Sequence, residues 1–594
     1  MNAVIKYSLA ALLLIIAGCR RFLDEKVVSD ISYSHYNTQQ GIESGVAAAY
    51  NPIRYQFENE FCASLYELGT DMYWDGRDAS YKTQLNRYEA TLNSTFDPMY
   101  DYWSNLYKGI NRANTILEAL GKIGDGMPEA LKKIRTGEMA FLRANYYFQL
   151  VQTFGRVPLV VVPELGVRTE FKRAAVADIY NQIITDLALA TTNLPATQTD
   201  YGRATQGAAW HALALVYLTR GSAVNDQRGQ KATDIDSAAY YADQVINSNR
   251  YKLVADFKDL WDINNQKNSE VIFAAQFSKT QLYNNNSGNR LHLFWGMTYD
   301  LKPGMTRTTE YGRPWNRLRP TNFTILQLYD RRNDSRFYKT YQSYWLCNNA
   351  ASIPKWEKVG AFTPPAELAG KPKFAFGDTS IWVTVEQWPA GTKLDSLYAS
   401  RPYYYMPMNR QDNANFFVLR KHLDPTRPGF NDEIGFRDGV LYRLAETYLI
   451  AAEAYGRKGD FATAAERLNE VRKRAAYKDG EMKPKDYWLI EGGDYADRTT
   501  STESLMTVTA GDLAALPSFV EFMLDERGRE LNGEQKRWFD LTRTELLVDR
   551  VKKHNTGGAN NVRPHHKFRP IPQNHIDRLD PVGPIEEEQN EGYY

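Results

Sequence analysis

From Gly41 onward, apolar residues recur at three- and four-residue spacing over long stretches. In "GIESGVAAAYNPI", Ile42, Val46 and Ala49 fall on one helical face. "YDYWSNLYKGINRANTILEAL" repeats the pattern with Trp103, Leu106, Ile110, Ala113, Ile116 and Leu117. The same period marks Gly137 to Phe154, Ala175 to Ala190, Thr205 to Arg220, Asp236 to Asn247 and the pair from Leu441 to Ala475. Each stretch predicts an amphipathic helix with one face in a core. The fold class is mostly α.

The last pair is the most specific. In "AAEAYGRKGDFATAAERLNEV", Ala452, Tyr455, Gly459, Asp460, Phe461, Ala464 and Leu468 stand at tetratricopeptide spacing. Small residues let two antiparallel helices touch, Gly459 permits a tight turn, and Tyr455 and Leu468 fill the space between repeats. Thr205 to Asn247 resembles a second copy, and "GEMAFLRANYYFQLVQTFG" a third first-helix. The scaffold reads as a few degenerate helical repeats.

Between about Ser278 and Asp438 the period fades. Pro, Gly, Asn and aromatics crowd "FWGMTYDLKPGMTRTTEYGRPWNRLRP", "YQSYWLCNN" and "RPYYYMPMNRQDNANFF". Such segments predict long loops with short strands and helices; loops this long in a compact protein are usually functional or disordered, and the Trp and Tyr density argues for ordered. The chain therefore divides into a helical part at 41–277, a loop-rich aromatic insert at 278–438 and a C-terminal helical part at 439–594. Together, 41–594 reads as one structural unit.

The N-terminus follows a different pattern. Lys6 precedes "SLAALLLIIA", an apolar run too short to cross a bilayer as a helix. It ends Ile16-Ala17-Gly18-Cys19, the pattern of a lipoprotein signal at 1–18 cut before Cys19. The Cys19 thiol would carry a lipid anchor, and two or three acyl chains hold a protein on a membrane where one does not. Residues 19–40 form the anchor and a polar tether.

Composition narrows the function. A net charge of +1 gives no field for a nucleic-acid partner. Aromatics make up 13% of the chain, with 39 Tyr and 12 Trp. At a mean hydropathy of −0.53 many of them must lie near the surface, where large rigid rings with polar edges suit recognition. Cys62 and Cys347 are far apart and read as buried free thiols. The eight His form no HExxH, and the adjacent His565 and His566 are expected to face apart, so no metal or cofactor is implied.

Ligand contact is expected from the aromatic loops. In "LGTDMYWDGRD", Tyr73 and Trp74 neighbour Arg77; further on, Trp295, Tyr299, Tyr311, Arg313 and Trp315 cluster. A sugar has an apolar C–H face that an indole or phenol can cover and a polar rim that Arg, Asp and Asn can bond. Peptides could use the same surface. The alternative is that these rings pin the loops to the scaffold. Carboxylate pairs of a glycoside hydrolase are defined by a spatial separation that sequence does not give.

"LDERGRELNGEQKRWFDLTR", Leu524 to Arg543, looks chemical because of its charge. Glu526–Arg529, Glu534–Arg537 and Asp540–Arg543 stand at i,i+3, the spacing of partners on a helix surface. That predicts a salt-bridged helical corner, with Gly533 as the break, rather than a catalytic site.

The same stretch carries a resemblance. Glu526, Arg527, Glu530, Leu531, Gly533, Glu534, Arg537, Trp538, Asp540, Leu541 and Arg543 match the C-terminal signature of the SusD/RagB family of outer-membrane nutrient-binding lipoproteins. Pro570-Ile571-Pro572, the terminal Gln589-Asn590-Glu591-Gly592-Tyr593, the Cys19 lipobox, "FGRVPLVV" and "RLAETYLIAAEAY" follow the family order. Glu591 stands where Pro is common. The resemblance implies a SusD-like α-α superhelix of tetratricopeptide-like pairs supporting a ligand-bearing loop half, without catalysis. It implies a lipid-anchored protein on the outer face of the outer membrane. There it would bind oligosaccharides, or peptides in RagB-type members, and act as a lid over a SusC-like TonB-dependent transporter. A secreted glycoside hydrolase and a protein that only braces the transporter remain as other classes.

Overall fold

The structure is a computed structural model that describes residues 33–164, 166–284, 287–479, 481 and 500–594. The signal, Cys19 and the tether up to residue 32 lie outside the described residues.

The periodic stretches are helices: α1 (Gln39–Glu58), α2 (Glu60–Glu67), α3 (Asp97–Lys122), α4 (Glu129–Phe154), α5 (Val176–Asn193), α6 (Gln206–Gly221), α7 (Asp234–Asn247), α8 (Leu444–Arg457) and α9 (Phe461–Ala475). α10 (Phe519–Glu530), α11 (Arg537–Arg543) and α12 (Leu547–His554) follow. Several of these helices are capped at their start by a side chain. The Thr38, Thr205 and Asp460 side chains accept from the backbone N–H of Gly41, Ala208 and Thr463, each worth about 1 kcal/mol.

α1 packs on α3, α3 on α4, and so on through α5, α6, α7 and α8 to α9. This succession of antiparallel helices is the repeat scaffold. Alanine makes it close-packed: Ala214, Ala238, Ala239 and Ala242 meet Ala451 and Ala454 in one buried cluster. Ala445, Ala452, Ala464 and Leu468 form the seam between α8 and α9. Gly459 turns the chain between these two helices at φ +83, a conformation L side chains avoid. At Gly456 the Phe519 ring lies 2.0 Å from where a Cβ would sit, so α10 can lie against α8 only because that position has no side chain.

The strands are short. β1 (Tyr73–Asp75) pairs antiparallel with β3 (Leu318–Pro320). β2 (Val271–Ala275) pairs with β7 (Gly439–Arg443). β4 (Tyr344–Leu346), β5 (Thr379–Val383) and β6 (Tyr404–Met406) form a small mixed sheet. The helix expected from Leu441 thus begins at Leu444, because Leu441 to Arg443 belong to β7. One continuous hydrophobic cluster runs from Ile42 to Ile576 and takes in Leu293, Trp345 and Phe417 of the loop half. The loops are therefore seated on the helical scaffold's own core.

Candidate functional site

The charged run at 524–543 is buried. Glu526 and Glu530 have no exposed surface, and Arg527 has 1%. Glu526–Arg529 at 3.1 Å and Asp540–Arg543 at 2.9 Å pair as their spacing predicts, but inside the protein rather than on its surface. Glu534–Arg537 does not form. Glu534 instead meets Arg443 and Lys421, both at 2.7 Å, while Arg537 reaches Asp71 at 2.6 Å. The reason is burial: a charge in the core needs the best partner in space, and that partner is remote in sequence.

Arg336, from the loop half, bonds both Glu526 at 2.8 Å and Glu530 at 3.0 Å. Arg443 of β7 bonds Glu530 at 2.7 Å, and Arg474 of α9 bonds it too. Burial pushes the Glu530 carboxyl up, but Arg474, Arg443 and Arg336 outweigh it and hold it at about 2. Arginines hold Glu526 down in the same way. A general acid needs the opposite shift. The run is a clamp joining repeats, strand and loops.

The aromatic candidates separate by depth. Tyr73, Trp295 and Tyr299 are 0%, 1% and 1% exposed, which corrects their expected place in a binding surface: they present no ring face to solvent. Tyr73 lies edge-on to Trp295 at 4.9 Å and hydrogen-bonds Asn532 and Tyr341. The Tyr299 hydroxyl donates to the Gly312 carbonyl at 2.7 Å. Tyr73 and Trp295 join loop to scaffold, and Tyr299 ties the loops to one another.

Trp74, Arg77, Tyr311, Arg313 and Trp315 are half-buried or exposed. From 315 to 320 burial alternates: Trp315, Arg317 and Arg319 reach solvent, while Asn316, Leu318 and Pro320 point inward, as a strand requires. The β1–β3 register sets Trp74 directly opposite Arg319, and the Gly76 and Asp78 N–H groups donate to the Arg317 and Asn316 carbonyls. The two sequence clusters thus become one shelf.

On that shelf the Arg319 guanidinium lies 4.7 Å from the Trp74 ring centre, and Arg317 and Arg313 lie 5.1 and 5.7 Å from that of Trp315. The indoles act in part as seats for guanidiniums. Arg313 also pairs with Glu433 at 3.0 Å, Arg317 with Glu60 at 2.9 Å and Arg77 with its neighbour Asp78 at 2.8 Å. Arg317 and Arg319 escaped the sequence reading, although the period-2 alternation of "WNRLRP" is a signal that could have found them.

Tyr311 leads from the shelf into a cleft of about 380 Å³ lined by Tyr338, Tyr344, Leu346, Glu310 and Arg420 as well. Tyr344 and Leu346 are 42% and 41% exposed. A second cavity, about 340 Å³, lies beside α3 against Trp103, Tyr107, Phe171 and His575. Its polar groups are largely committed: the Tyr107 hydroxyl donates to the Pro158 carbonyl, and Asn114 donates to those of Val160 and Val162. A polyhydroxylated ligand needs free donors and acceptors, so the shelf and the Tyr311 cleft are the better site.

His565 and His566 do not face apart: they share a tight turn, with ring centres 4.1 Å apart. His566 Nδ1 is already occupied as acceptor of the Arg563 N–H. Among the described residues, no group of three or more His, Cys, Asp or Glu side chains is placed to hold a metal ion. Cys62 and Cys347 are free and buried. No helix of the described residues is long and apolar enough to cross a membrane.

Comparison with known proteins fits this architecture. Residues 269–593 match the model described as "SusD family", and residues 21–218 match one described as "Starch-binding associating with outer membrane". The chain belongs to the SusD family. A SusD-like protein, P25, of Formosa agariphila is 23% identical, with 97% of each chain covered. The starch-binding protein SusD of Bacteroides thetaiotaomicron is 24% identical over 79% of this chain and 74% of its own. Among solved structures, a laminarin-binding SusD-like protein superposes with a TM-score of 0.63 at 23% identity, covering 94% of this chain and 100% of its own. The SusD-family fold, a helical scaffold with few strands, is the fold described above.

Proposed function

We propose that the protein is a surface lipoprotein of the outer membrane that binds oligosaccharides and delivers them, as a lid, to a SusC-like TonB-dependent transporter. It does so without catalysing a reaction. The observation that carries the binding role is the shelf and cleft. Trp74, Arg77, Tyr311, Arg313 and Trp315 meet on one side of the loop half, offering aromatic surface beside cationic and hydroxyl groups. Relatives named for starch and laminarin binding support a glycan ligand. The Cys19 lipobox and the family's outer-membrane description support the location. Residues 41–594 act as one unit in this reading.

A binding role also suits the carboxyls. Of those raised by burial, Glu58 to about 7, Glu67 to about 8 and Asp438 to about 6 line neither the cleft nor the cavity beside α3, and Glu60 is held in an ion pair with Arg317. A glycan array and a peptide panel, run in parallel, test the proposal. Saturable glycan binding without release of reducing ends is expected. Binding confined to peptides would replace the sugar with a peptide, and released reducing ends would make the protein a hydrolase.

A further inference from the structure

One guanidinium on the shelf has no carboxylate or hydrogen-bond partner among the described residues. Arg77, Arg313 and Arg317 each have a carboxylate at ion-pair distance. Arg319 is half-buried, stacked on Trp74, and neither hydrogen-bonded nor ion-paired to any described residue. The two carboxylates that act on it from further off are engaged elsewhere. Asp75 accepts from Asn86 at 2.5 Å and meets Arg87 at 3.4 Å; Asp412 accepts from the Ala414 N–H and the Asn415 amide, both at 2.8 Å. Burial lowers the Arg319 pKa from its ordinary value and these distant carboxylates offset only part of that. A guanidinium withdrawn from water without an anion is destabilising, and an anionic group arriving beside it forms a charge-assisted, bidentate contact.

We propose that Arg319, held over the Trp74 ring at the edge of the shelf, binds an acidic substituent of the glycan, a carboxylate or a sulfate ester. This rests on the reading of the shelf as a glycan site and adds the class of glycan. A planar guanidinium suits either oxyanion. The Trp74 ring then acts as the seat of the guanidinium, and the sugar is held by that contact together with Trp315 and the Tyr311 cleft.

The test uses the purified protein on an array of neutral, uronic-acid and sulfated oligosaccharides, followed by calorimetry on the strongest ligand. The wild type should favour an acidic set, with affinity falling as salt rises. Arg319→Gln should lose about tenfold against the acidic ligand, Arg319→Lys should recover part of it, and neither should lower the unfolding midpoint. The uronic-acid and sulfated arms tell the two oxyanions apart. Binding to neutral glycans alone, or acidic binding indifferent to Arg319→Gln, overturns the proposal and leaves the glycan reading standing. Binding to none of the three sets overturns both.

Discussion

The Glu530 carboxylate accepts a hydrogen bond from Arg443 at 2.7 Å, with both side chains essentially out of contact with solvent. Arg336 approaches the same carboxylate from the loop half at 3.0 Å. Removing the negative charge takes from Arg336, Arg443 and Arg474 the carboxylate they share, leaving a buried excess of positive charge. Glu530→Gln should therefore destabilise the fold by about 3–5 kcal/mol, read by chemical denaturation. Ligand affinity of the molecules that stay folded should be unchanged.

Glu67 is the opposite case. Its carboxyl is buried, accepts the Gln535 N–H at 2.7 Å, and is pushed up by burial to about 8 in spite of that bond. It is protonated at neutral pH, so a neutral amide replaces it closely. Below about pH 4, where the carboxyl is protonated in both states, Glu67→Gln should change stability by no more than about 1 kcal/mol. A raised carboxyl favours folding below its unfolded value and loses that contribution as pH rises through the folded one. The wild type should therefore weaken relative to Glu67→Gln as pH rises from about 4 to about 8 and level off above that, measured as unfolding midpoint against pH.

Acid should loosen the clamp. Asp71, Glu453 and Glu530 are each subject to burial, which raises them, but arginines hold all three at about 2. Their folded values lie below unfolded values near 4. Their stabilisation is therefore complete above that range and is lost as pH falls toward about 2. Stability should fall steeply with pH below roughly 5. A midpoint that stayed flat down to the folded values would contradict the ion pairs.

Depth predicts two classes of tryptophan. Trp295 is 1% exposed, and Trp295→Ala should cost about 3–5 kcal/mol of stability. Trp315 is half-buried on the shelf, and Trp315→Ala should weaken glycan binding by at least about tenfold with the fold retained. Titration calorimetry and thermal unfolding on the two variants separate the effects.

The two thiols give a simple check of packing. Cys62 is fully buried, and burial raises its pKa; Cys347 is 2% exposed. Neither should react with a thiol reagent in the native protein, and both should react once it is unfolded.

The scaffold was legible because helical period and small-residue spacing are local. Ala452, Gly459, Ala464 and Leu468 lie where the repeat pattern placed them, with Gly459 in the turn. Partners across the fold were not legible. Arg537 pairs with Asp71 and Glu534 with Arg443, contacts that no i,i+3 rule reaches. At the site, β1 is only three residues long. Neighbours Tyr73 and Trp74 therefore looked alike in sequence, yet one points inward and the other toward solvent. Arg319 escaped because its meaning lies in what faces it, a ring on another strand and no carboxylate.

The central claim is that the charged run builds the protein while the shelf binds its ligand. The most direct measurement is glycan affinity and unfolding midpoint, taken together on the wild type, Trp315→Ala and Glu530→Gln. Trp315→Ala should lose affinity and keep its midpoint, and Glu530→Gln should lose its midpoint and keep affinity. A Glu530→Gln protein that unfolds like the wild type yet no longer binds glycan would contradict the claim.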